Sequence, residues 1–289
     1  MRDPLAVILD TYPEQREIIH YIRSLQAQVE AVDRHSLFEP LTLVEVIDEK
    51  QSLLSLTPQY IDAWRQHVAN STHVRMRCLE GGIFEEMANS RLLCAMAIVR
   101  AHMECAALAA FCEMALVDAA REKKWERLKE PIFSTLFGTF LLTSEMRVPK
   151  FEGTLLQGAT TPIEIARAIE AMDRFVAASP ASPQRYRQNY SFLSEYVQPT
   201  MRSNRCFVDI VEQTAEGWIL RYNSDEKVTE SDLLIGLEMV LDNMRVGYSC
   251  LEMLRRSKMV ADEDNEGRLT PPTRKDLEQI WKDFLQRPI

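Results

Sequence analysis

"CAMAIVRAHMECAALAAFC", residues 94–112, is made almost wholly of residues that favour helix and burial, yet Arg100, His102 and Glu104 sit at its centre. Arg100 and Glu104 are four apart, so on a helix they share a face and can pair. Ile98, Val99, Met103, Leu108 and Phe111 leave much of the remaining circumference apolar. A helix that is apolar nearly all round belongs in the middle of a packed protein. The stretch is long enough to span a bilayer, but three polar residues at its midpoint argue against a membrane. The expectation is a central bundle helix carrying a largely buried ion pair. Removing Glu104 from such a pair would cost on the order of 3 kcal/mol. The pair either neutralises itself inside the bundle or lines a pocket.

Outward from that stretch, helix signals dominate. Ile18, Ile22, Leu25, Val29 and Val32 step at helical intervals between Glu14 and Val32, an amphipathic stripe. A short helix is expected over Leu41 to Leu54. Thr57 and Pro58 form a cap and first position for the next, which Gly81-Gly82 should break. The long helix is then expected from Ile83 to Leu128, with Pro131 opening another over "PIFSTLFGTFLLTS". "TPIE" offers Thr161 as cap and Glu164 three residues on. "SPQRYRQNYSFLSEYVQP" begins at Ser182-Pro183 and stops at Pro199. "CFVDIV" and "WILRY" are rich in β-branched and aromatic residues and read as one hairpin at about 206–222. Thr229 with Asp232 caps a further helix to about Arg256. A polar linker and a short terminal helix complete the chain.

The fold class is therefore all-α: an antiparallel helical bundle with one small β-hairpin. The organisation reads as an N-terminal helical region over 1–80, a bundle with its hairpin over 83–256, and a linker with a short helix over 257–289.

Composition limits the function. The 289 residues are 46% hydrophobic and 27% charged, as in an ordinary globular protein. A net charge of −9 means that any nucleic-acid role must rest on a local patch. The six cysteines form no Cys-x-x-Cys pair, which suits reduced thiols in a cytoplasmic protein. The opening residues turn polar too early for a signal peptide.

His102, Cys105 and Cys112 lie near one helix face, but structural zinc draws ligands from separate elements, so these residues read as packing. "EIIH" at Glu17–His20 supplies only half of a di-iron pattern. Phosphate-binding, serine-hydrolase and zinc-protease motifs are all missing from the sequence. Neither a cofactor nor a metal is expected. One local concentration of charge remains. Arg185, Arg187, Arg202 and Arg205 face only Glu195 in their segment, with Tyr186, Tyr190, Phe192, Tyr196 and Phe207 interleaved. Arginines beside stackable rings suit RNA or a nucleotide. Tyr186, Tyr190, Leu193 and Val197 also step at helical intervals, which suits a core face with solvated arginines opposite.

"AIVRAHMEC" and "YSFLSEYVQP" together resemble HEPN-like proteins, helical bundles of prokaryotic defence and toxin systems. Arg100 and Glu104 match an Arg-x-x-x-Glu on the apolar helix. Tyr190, Leu193, Ser194, Glu195, Val197 and Pro199 match the end of a later helix, and the resemblance covers roughly residues 83 to 256. It implies a homodimer and, in active members, RNA cleavage by an Arg-x4–6-His pair. Here Gln198 stands at the histidine position, and glutamine cannot move a proton near pH 7.

The resemblance therefore implies a non-catalytic binding or assembly module in a bacterial defence or regulatory system. The alternatives are a metal-independent ribonuclease using residues around Arg100, Glu104, Ser194 and Arg202, and a structural adaptor for a protein partner. The candidate pocket is Arg100, Glu104, Ser194 and Gln198. The candidate anion or RNA site is Arg185, Arg187, Arg202 and Arg205.

Overall fold

The computed structural model describes residues 2–36, 58–137, 163–176, 184–198, 200–214, 217–223, 225–226, 228–260 and 268–285. The helix expected at 41–54 and the Thr161, Pro162, Ser182, Pro183 and Pro199 punctuation lie outside the described residues. The same holds for residues 138–144 of the helix expected after Pro131.

Helices dominate, as the capping signals require. They are α1 (Pro4–Thr11), α2 (Arg16–Ser36), α3 (Pro58–Ala88), α4 (Leu92–Glu122) and α5 (Lys129–Phe137). After these come α6 (Ile165–Val176), α7 (Arg185–Val197) and the short α8 (Met201–Arg205). The hairpin strands β1 (Val208–Thr214) and β2 (Gly217–Tyr222) precede α9 (Glu230–Arg256). A second small ladder, β3 (Lys258–Val260) with β4 (Arg268–Thr270), and α10 (Arg274–Ile280) follow.

Three boundaries differ from expectation. Gly81-Gly82 does not interrupt α3, which runs straight through the expected 80–83 division. A glycine inside a helix costs only about 1 kcal/mol, and the long packed seam of α3 against α4 outweighs that. The chain turns instead at Asn89–Arg91, where Ser90 takes a left-handed conformation (φ 57°). The central helix ends at Glu122 rather than Leu128, because Lys123 is left-handed (φ 52°) and its N–H bonds back to Ala119 and Ala120. Part of the expected polar linker is ladder: Met259 pairs with Leu269, flanked by Lys258–Thr270 and Val260–Arg268.

The core is a three-helix arrangement of α3, α4 and α9. Helices α3 and α4 form an antiparallel hairpin, and α9 lies in its groove, running with α4 and against α3. Glycines set that approach. A Cβ on Gly247 would lie 2.6 Å from Met76 Cε and 3.0 Å from Ala106 Cβ. One on Gly236 would lie 2.8 Å from Met87 Cε and 3.0 Å from Met96 Cε. Helices α6 and α7 cover another side of α4, while α1 and α2 cover α3 and α9. Of the α2 stripe, Ile22, Leu25 and Val29 are buried and Ile18 packs against the core at its edge.

Helix α4 is long and apolar enough to cross a membrane, and over half of its most apolar window is buried inside the bundle. Its small residues (Ala95, Ala106, Ala107, Ala109, Ala110, Cys105, Cys112) are buried, so neighbouring helices approach closely. Loop and partner side chains close the helix ends. Glu226 Oε2 accepts from Leu93 N at 2.8 Å at the start of α4. Thr229 Oγ1 accepts from Asp232 N at 3.1 Å, the expected cap of α9. At the far end of α9, the Arg65 guanidinium donates to the Leu254 carbonyl and, at 2.8 Å, to that of Arg255. Terminal carbonyls left without a helical partner are thereby satisfied.

Candidate functional site

Arg100 and Glu104 meet on α4 as their spacing requires, with Arg100 Nε 3.4 Å from Glu104 Oε1. The third member of the group is Tyr190 on α7. Its hydroxyl accepts from Arg100 Nη2 at 2.6 Å and donates to Glu104 Oε1 at 3.0 Å. The Arg100 guanidinium carbon also lies 4.7 Å from the centre of the Tyr190 ring, a cation–π geometry. Burial pushes the Tyr190 hydroxyl above its ordinary pKa, and the Glu104 charge acts in the same direction. The three side chains close on one another, so the pair ties α7 to α4.

The pair is half-buried rather than inside the bundle: the Arg100 and Glu104 side chains are 25% and 35% exposed. They stand at the α4–α7 seam, where water still screens them. Glu104→Ala is therefore expected to cost about 1 kcal/mol, not the ~3 of a buried pair. Urea unfolding of the variant checks this; a loss near 3 would mean that the seam is dry.

Ser194 does not join the group. Its hydroxyl donates to the Tyr190 carbonyl one turn back, at 2.8 Å. Gln198 caps the end of α7 through its backbone N–H to Ser194 O, and its carbonyl accepts from Ser203 Oγ at 2.7 Å. The Gln198 side chain is exposed.

The basic segment is divided in the fold. Arg185 pairs with Asp242 of α9, a carboxylate only 7% exposed, and is committed to that contact. Arg187 and Arg205 are exposed and have no ion pair among the described residues. Arg202 lies on α8, and its side chain is outside the described set. Asp173 of α6 starts α7 by accepting from Tyr186 N at 2.8 Å and Arg187 N at 3.2 Å. Tyr186, Leu193 and Tyr196 are buried, while Tyr190 and Phe192 pack at the core's edge. The aromatic stripe thus serves packing.

The most concentrated polar chemistry is elsewhere, in the α3–α4–α9 core. Glu80, 1% exposed, accepts from Tyr248 Oη at 2.5 Å, lies 3.4 Å from His102 Nε2 and pairs with Arg77 at 3.2 Å. Burial pushes the Glu80 carboxyl up, but the bonds from His102 and Tyr248 and the Arg77 charge outweigh it and hold it below the usual range. The His73 ring packs edge-on against Tyr248 at 5.2 Å. One end of the core holds Glu113, 2% exposed. Burial pushes its carboxyl up to about 8, against the pull of Arg65.

His102 therefore belongs to a carboxylate network, and the described residues contain no group of three or more His, Cys, Asp or Glu able to hold a metal. Sequence reasoning missed Glu80, Glu113 and Tyr248 as a set, since each looks like an ordinary helical residue. All six cysteines are free thiols. Burial raises Cys105 to about 11 and Cys112 to about 12, so neither is a nucleophile near neutral pH.

No protein-family model matches this chain, and no curated protein or solved structure matches it at a significant level.

Proposed function

We propose that this protein is a non-catalytic binding or assembly module of HEPN-like type, working in the cytoplasm within a bacterial defence or regulatory system. The closed group of Arg100, Tyr190 and Glu104 carries the reading. The motif's charged residues are spent on each other and on docking α7, and each hydrogen bond from the Tyr190 hydroxyl stays inside the group. Gln198 at the end of α7 has no proton to move where a catalytic histidine would act. Ligand contact then falls to fixed charge, with Arg187 and Arg205 exposed on the α7–α8 side. Binding of an anionic strand there is weak and falls as salt rises, because counterion release drives it.

The test incubates the protein with single-stranded RNA in the presence of a chelator. The RNA is expected to stay intact, with salt-sensitive anisotropy that Arg187→Glu together with Arg205→Glu removes. RNA degradation that Arg100→Ala or Arg202→Ala stops would establish a ribonuclease instead.

A further inference from the structure

Asn243 sets a carboxamide into the apolar stripe of α9. Leu237, Val240, Met244 and Leu251 around it are fully buried, and so is Asn243 itself. Neither its Nδ2 nor its Oδ1 has a hydrogen-bond partner among the described residues. That is unusual for a buried polar group, because a hydrogen bond left unmade away from water is costly.

The two glycine contacts of α9 fix what stands opposite. Gly236 faces Met87 and Met96, and Gly247 faces Met76 and Ala106. Asn243 lies seven residues after the first glycine and four before the second, so at about 3.6 residues per turn it points into the same groove. Counting back seven from Met87, or on four from Met76, reaches Glu80 of the antiparallel α3. Counting back four from Ala106, or on seven from Met96, reaches His102 and Met103 of the parallel α4. The counts converge on the level at which Glu80 Oε1 lies 3.4 Å from His102 Nε2. His102 is fully buried, and its Nδ1 has no hydrogen-bond partner among the described residues.

We propose that Asn243 and His102 hold an ordered water molecule inside the bundle, bridging α9 to α4 beside Glu80. Valence selects this ligand. The carboxamide offers both donor and acceptor, and the imidazole Nδ1 serves as either according to tautomer. A buried water makes about three hydrogen bonds to groups of this kind, and Nδ2, Oδ1 and Nδ1 supply them. Charge selects against an ion. Arg77 already pairs with Glu80, so a cation would meet the guanidinium and an anion the carboxylate. What fits is a neutral molecule that both donates and accepts, and the close helix approach at Gly236 and Gly247 admits only a small one. The site does not depend on what the α7–α8 side binds.

Nuclear Overhauser contacts between water and the Asn243 side-chain amide of the full chain test this. Water oxygen-17 relaxation dispersion is compared alongside for the parent chain and for Asn243→Leu, which keeps the side chain's size. The expected result is a cross-peak of the long-lived sign at the Asn243 amide and a dispersion amplitude lower by one water in the variant. No such cross-peak in the parent chain would overturn the proposal in favour of a direct bond from Asn243 to His102 or Glu80. Equal amplitudes for parent and variant would overturn it as well. The cross-peak needs no substitution, so the test survives a variant that fails to fold.

Discussion

Glu80→Ala is expected to lower the unfolding free energy by about 3–5 kcal/mol, the usual cost of deleting one partner of a buried charged group. The carboxylate accepts from Tyr248 Oη at 2.5 Å and faces both His102 and Arg77. Alanine leaves those polar groups in the core without their acceptor, and each orphaned group costs about 1–3 kcal/mol. The Arg77 side chain is one-quarter exposed and keeps Glu30 as a second partner at 2.7 Å, so the larger loss falls on Tyr248 and His102. Glu80→Gln preserves the shape and one acceptor oxygen, and its loss should be smaller. Equilibrium urea unfolding of both variants measures the difference. A loss under about 1 kcal/mol for Glu80→Ala would show that water reaches the group.

Glu113→Gln is expected to stabilise the protein, and more so as pH rises. Its folded carboxyl sits at about 8, raised by burial, against roughly 4.3 for a free glutamate. Between those values the folded chain holds a proton that the unfolded chain has lost, so stability falls as pH climbs through the window. At pH 7 the burden is on the order of 3 kcal/mol, and the amide of the variant has no such proton to lose. The opposite slope comes from His73, which burial, helped by the Arg255 and Arg77 charges, pushes down to about 3. Its folded form resists protonation, so stability falls as pH drops below the ordinary histidine value of about 6.5. From these two groups together, the slopes oppose each other between roughly pH 4.5 and 6.5 and leave a plateau there. Thermal melts across pH 4 to 9 should show that plateau, with Glu113→Gln flattening its alkaline side. A variant that melts below the parent at pH 8 would contradict the assignment.

Much of this architecture was legible in the sequence because it depends on local periodicity. The 94–112 stretch announced a central helix, Thr229 and Asp232 announced the start of α9, and two β-rich runs announced the hairpin. The strand β1 reaches Thr214, beyond the expected apolar run, because past a bulge after Ile210 the polar Glu212, Gln213 and Thr214 go on pairing with Ile219, Trp218 and Gly217. Non-local decisions were hidden. Gly81-Gly82 is a breaker by propensity, and only the α3–α4 seam reveals why the helix continues. Arg100 and Glu104 were legible as a pair from their spacing. Tyr190 as their common partner required knowing that α7 lies beside α4. Glu80 and Glu113 resemble surface glutamates in any one-dimensional pattern, and Glu80 meets Tyr248, 168 residues away, only through the packing of α9.

The position of α9 has a consequence for biosynthesis. This helix fills the groove between α3 and α4, yet it begins only at Glu230. A nascent chain still short of that point carries the α3–α4 hairpin with Met76, Met87, Met96 and Ala106 facing an empty trench. Such a trench is the kind of surface that chaperones hold and that aggregates form from. Core closure therefore waits until the ribosome has delivered Glu230–Arg256, and the helices made before it wait too.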